Sequence, residues 1–169
     1  MKFSLFRKMW LYTLVIAVGL LVASCYTVPQ SGRSAFNVIG VGQEINLGLN
    51  AFEEIKKKEK TSTNAVAVAM VQRVGERIAS IADKDIPKAK WEFVLFENNE
   101  PNAFALPGGK VGVHTGILEI TKDDNGLAAV LAHEVGHVAA RHGAERISEQ
   151  MALAGLAAGL AIGLSQEDR

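Results

Sequence analysis

Apolar positions along the chain repeat with two different periods. In residues 64–82, Val66, Met70, Val74 and Ile78 recur four apart, the spacing of one face of a helix that turns a stripe to a core. A shorter charged helix is predicted over residues 49–60, with Lys56, Lys57 and Lys58 on a solvated face. The period changes to two in WEFVLF (91–96) and in KVGVH (110–114), where Val111 and Val113 share a face; both read as strands. Residues 101–109, punctuated by Pro101, Pro107, Gly108 and Gly109, read as the loop between them. Helical spacing returns over residues 125–142, with Asp123 or Asp124 as the cap and Gly143 as the stop. A last helix is predicted over residues 144–164. Its apolar run (MALAGLAAGLAIGL, 151–164) falls short of the ~20 residues a membrane span needs and reads as a buried or partner-covered helix. Helices, two short strands and helices again predict an α+β, mainly helical fold with a small sheet beside the helix at 125–142.

The N-terminus follows a different logic. Lys2, Arg7 and Lys8 precede an apolar stretch over residues 9–22, and small residues lead to Cys25, which is the architecture of an export signal over residues 1–24. What remains is enough for one domain. Val22-Ala23-Ser24-Cys25 resembles the bacterial lipobox, in which the cysteine takes a lipid and becomes the first residue after cleavage. Cys25 is the only cysteine, so an internal disulfide is excluded and a role as lipid anchor fits. By resemblance to envelope lipoproteins, Tyr26 in place of Asp after the anchor directs the protein to the outer membrane, facing the periplasm. Residues 25–48, rich in Gly, Ser, Pro and Asn, read as a tether. Eighteen basic side chains balance eighteen acidic ones, and no basic stripe with interleaved aromatics appears, which argues against nucleic-acid binding.

The chemistry sits in His133-Glu134-Val135-Gly136-His137, an H-E-x-x-H pattern inside the predicted helix. Residues four apart on a helix project from one face about 6 Å apart, so His133 and His137 can grip one ion. Zinc accepts imidazole nitrogen readily, and a catalytic zinc keeps three protein ligands and one open position. Glu134 is placed to act as the general base and stays off the metal. The metzincin spacing is excluded, because Ala140 and Gly143 stand where it needs Gly and His. His142, on a continuous helix, would be rotated by roughly 140° from His137, which favours a cap or supporting role over a third ligand. His114 can either line the cleft or lie on the surface.

Two segments in order, NAFALPGGKVGVHTGI (102–117) and LAAVLAHEVGHVAARH (127–142), resemble peptidase family M48, a zinc metallopeptidase family with lipoprotein members. The resemblance implies a gluzincin-like domain over residues 49–169 and one zinc ion per chain. It also implies a strand bordering the cleft (Lys110, Val111, Gly112, Val113 and His114) that binds an extended polypeptide by backbone pairing. The family takes its third ligand from a later glutamate in an E-x-x-x-D setting, which nothing here matches. Glu145, Glu149, Glu167 and Asp168 are the downstream carboxylates, with Glu149 the nearest substitute, so the domain is expected to be incomplete. The expected function is a membrane-anchored zinc metalloendopeptidase acting on unfolded or misassembled envelope proteins. The alternative is a truncated, non-catalytic peptide-binding or chaperone-like lipoprotein without the third ligand.

Overall fold

The computed structural model describes residues 25–28, 32–86 and 88–167. The expected signal segment, residues 1–24, and Asp168 lie outside them. The elements are β1 (Cys25–Thr27), β2 (Ser34–Phe36), α1 (Val41–Lys58), α2 (Ala65–Ala82), β3 (Glu92–Phe96), β4 (Ala103–Leu106), β5 (Lys110–His114), α3 (Thr115–Thr121), α4 (Asp124–Ala139) and α5 (His142–Glu167). The fold is α+β and mainly helical, as the pattern predicts. It divides into two units: Ile39–Gly143, and the described residues of Met1–Val38 with Ala144–Arg169.

In the larger unit, α1 begins at Val41, eight residues ahead of the helix expected from residue 49, inside the stretch read as tether. The reason is the character of its inward face: the buried positions are Glu44, Gly48 and Phe52. They are spaced four apart like any helical stripe, but only one is apolar, so hydrophobic periodicity cannot reveal them. Glu44 is neutralised by Arg141, 2.8 Å away. Gly48 lets the helix touch the Pro107 carbonyl, since a Cβ there would lie 2.3 Å from that oxygen. Gly48→Ala is therefore expected to destabilise the fold by about 1–3 kcal/mol, the cost of overpacking against backbone. A urea midpoint unchanged by the substitution would refute this.

Helix α2 is capped by Asn64, whose side chain accepts from Ala67 N at 3.2 Å. Its buried face is Val71, Val74, Gly75 and Ala79, turned from the predicted stripe so that Val66 is 79% exposed. Small residues decide the rotation. A Cβ on Gly75 would lie 2.4 Å from the Phe93 ring, so the helix approaches β3 where its side chains are shortest.

The sheet has the order β3-β5-β4, with β5 parallel to β3 and antiparallel to β4. Strand β4 lies inside the expected loop. Four apolar residues between two prolines give too short a run to register as a strand, and a turn through Gly108 (φ 89°) and Gly109 (φ 81°) folds it back on β5. The central place of β5 corrects a second expectation. Lys110, Val111, Gly112, Val113 and His114 are paired on both sides, so their backbone has no free edge for a substrate. Val111 and Val113 are instead fully buried with Leu95, Val71 and Val74, and the α4 stripe Leu127, Leu131 and Val135 completes this core.

In the smaller unit, β1 and β2 pair antiparallel, and Ala35 of β2 is buried. Arg33 holds Glu145 through two 2.6 Å hydrogen bonds. Buried Ser148 accepts from Val38 N and donates to Ala144 O. No helix among the described residues is long and apolar enough to cross a membrane.

Candidate metal centre

Helix α4 is fixed at its start and along one side. Asp123 caps it, accepting from Asn125 N and Gly126 N at 2.9 Å. Asp124 in the first turn forms paired bonds of 2.8 and 2.7 Å with Arg73 of α2. That guanidinium holds the Asp124 carboxyl below the usual carboxylate range, and the negative charges favour the positive end of the helix. Gly126 permits a tight entry from α3, because a Cβ there would meet the Thr121 carbonyl at 2.2 Å. Rotation about the axis is set by Leu127, Leu131 and Val135, all buried. At about 100° per residue, His133 and His137 stand roughly 200° and 240° from Leu131, on the opposite face. Both are exposed, and Glu134, about 300° from Leu131, is half-buried at the margin.

The two Nε2 atoms lie 3.1 Å apart. An ion that binds imidazole nitrogen at roughly 2.0–2.1 Å would subtend an angle of about 100° between them, close to a tetrahedral bite. The pair thus fits a metal ion. Among the described residues, no group of three His, Cys, Asp or Glu completes such a site. Of the downstream carboxylates, Glu145 is engaged by Arg33 and Glu149 is exposed.

Where His142 lies differs from the sequence expectation. Helix α4 ends at Ala139 instead of continuing to residue 142, and Arg141 takes a left-handed conformation (φ 57°). The premise of a continuous helix fails, so His142 swings back until its Nδ1 lies 2.7 Å from Nδ1 of His137. His133 approaches His137 on the Nε2 side and His142 on the Nδ1 side, so one ion cannot take all three rings. The signal for the break is Arg141 bonding to Glu44, 97 residues earlier, which no local pattern contains.

His114 is buried, with its ring edge-on to Phe96 and Phe104. Its Nε2 lies 3.1 Å from Glu59 Oε2 without making a hydrogen bond to it. Its partners are these, not the imidazoles of α4.

An H-E-x-x-H pattern that does fold as a helix, with both imidazoles converging on one point, places the chain among the metallopeptidases that use this motif. The comparison with known families narrows the class: the model of peptidase family M48 matches residues 66–168, and the chain belongs to that family. It is 37% identical over 147 residues to the mitochondrial metalloendopeptidase OMA1 of Schizosaccharomyces pombe, covering 84% of this chain and 43% of that protein. It is 31% identical over 127 residues to the beta-barrel assembly-enhancing protease of Escherichia coli, covering 75% of this chain and 26% of that protein. The OMA1 protein of Saccharomyces cerevisiae is 33% identical over 133 residues, or 72% of this chain and 39% of its own length. The chain therefore spans less than half the length of each of these relatives.

Proposed function

We propose that the chain carries the metal-binding helix of a membrane-tethered zinc endopeptidase. The observation that carries this reading is the 3.1 Å approach of the His133 and His137 Nε2 atoms on a helix whose rotation the core fixes. Zinc held there, with a third ligand from outside the described residues, would supply Lewis acidity toward water and the scissile carbonyl. Glu134 takes the proton of the attacking water on its carboxylate and hands it to the departing amine nitrogen. Its position one residue after His133 gives that carboxylate access to the same side of the helix.

The substrate strand moves from β5 to β4. In an antiparallel pair, backbone groups alternate between partner and open edge. His114 N donates to Asn102 O, so with the register Ala103↔Val113 the polar groups of Ala103 and Ala105 turn to the edge away from β5. Among the described residues no strand pairs there. An unfolded polypeptide can add to that edge as a further strand beside α4, which packs on β4. Residues 1–24 act as a signal and Cys25 as lipid anchor, holding the domain at the periplasmic face of the outer membrane. Unfolded or misassembled envelope proteins are the substrates.

A second reading is a non-catalytic peptide-binding lipoprotein, favoured by the lack of a third ligand among the described residues. Zinc content and casein cleavage of the purified chain separate the two. About one zinc per chain, with cleavage abolished by a chelator and restored by zinc, is the expected result. Casein binding without zinc or cleavage would refute the endopeptidase reading.

A further inference from the structure

His142 is the ring that the proposed reaction leaves without a task. A neutral imidazole carries one N–H, so a histidine that gives its Nε2 lone pair to a metal must keep its hydrogen on Nδ1, and that hydrogen needs an acceptor. For His137 the group at hand is His142 Nδ1, 2.7 Å away. Both rings are exposed, so burial does not force them together. The backbone does. Arg141 sits at φ 57°, a region L-residues seldom adopt, and its guanidinium donates to Glu44 Oε2 at 2.8 Å and to the Ile39 carbonyl at 2.9 Å. The start of α1 thus holds the break after α4, and the break delivers His142 to the flank of His137.

We propose that His142 is a positioning residue for the metal centre: its Nδ1 accepts the Nδ1–H of His137 and so fixes the tautomer that leaves His137 Nε2 free for the ion. The arrangement is self-consistent along the three rings. Without the ion, His133 and His142 can each keep the hydrogen on Nε2, the commoner tautomer of a free side chain, while His137 accepts from His133 and donates to His142; to take the ion, His133 carries its hydrogen on Nδ1 instead. The proposal rests on the reading of His137 as a metal ligand.

Ring-nitrogen NMR on the full 169-residue chain without metal reads the tautomer directly. His137 is expected as Nδ1–H in the parent and in His142→Asn, whose Oδ1 falls where the His142 Nδ1 lies. In His142→Gln, which sets its oxygen one bond further out, His137 should revert to Nε2–H. Zinc affinity by competition should fall about 10–100-fold in His142→Gln and be restored in His142→Asn. An Nε2–H tautomer for His137 in the parent, or a Gln variant that changes neither tautomer nor affinity, overturns the role of His142. Zinc affinity unchanged in His133→Ala overturns the metal centre itself, and the metal-free tautomer measurement keeps the two failures apart.

Discussion

Glu134→Gln is expected to lower the rate of casein cleavage by about 10²–10⁴-fold, the usual worth of a general base, while the zinc content stays that of the parent. The amide matches the carboxylate in shape but cannot take a proton from water. Glu134 is half-buried and forms no ion pair among the described residues, so its replacement removes chemistry without removing a support. His133→Ala makes the contrasting control, because it deletes one of the two nitrogens that meet at 3.1 Å and should lose zinc and cleavage together. Both variants are measured against a parent preparation whose cleavage a chelator abolishes. Cleavage that survives Glu134→Gln at the parent rate would remove the assigned base from the mechanism.

The residues behind that prediction are legible in the amino-acid sequence, for a physical reason. Metal-ligand geometry on a helix is local: two imidazoles four residues apart meet because of backbone pitch alone, and the flanking leucines announce which side is buried. What stays hidden depends on groups far apart in the chain. The turn at Arg141 depends on Glu44 and the Ile39 carbonyl, so local periodicity carries His142 along a helix that has already ended. The early start of α1 is masked because its buried stripe is a charged residue, a glycine and a phenylalanine. The central position of β5 follows from β4, a four-residue strand between prolines, and with it the open edge passes from one strand to the other. Local chemistry is readable and strand neighbourhood is not, because pairing partners are chosen by the whole sheet.

Leu131→Ala carries the largest expected cost to stability, about 2–5 kcal/mol, as for a leucine removed from a packed core. Leu131 is fully buried between Leu127 and Val135 on the face of α4 that meets Val71, Val74, Val111 and Val113. It is also one of three side chains that fix the rotation of the helix, so the substitution tests whether the core and the metal centre are coupled. A ligand that binds only the folded state raises stability by RT ln(1 + [L]/Kd), which makes the zinc-induced shift in the urea midpoint a measure of site integrity. If α4 keeps its rotation on the two remaining anchors, saturating zinc should raise the stability of Leu131→Ala by as much as that of the parent, from a lower baseline. If the helix turns, His133 and His137 move together away from His142 and from the third ligand, and the zinc increment shrinks while the slope of the unfolding curve is unchanged. The capping of Asp123 and the Arg73–Asp124 pair both lie outside the core, and they favour the first outcome. An Ala variant with the parent's urea midpoint would contradict the place of Leu131 in the core.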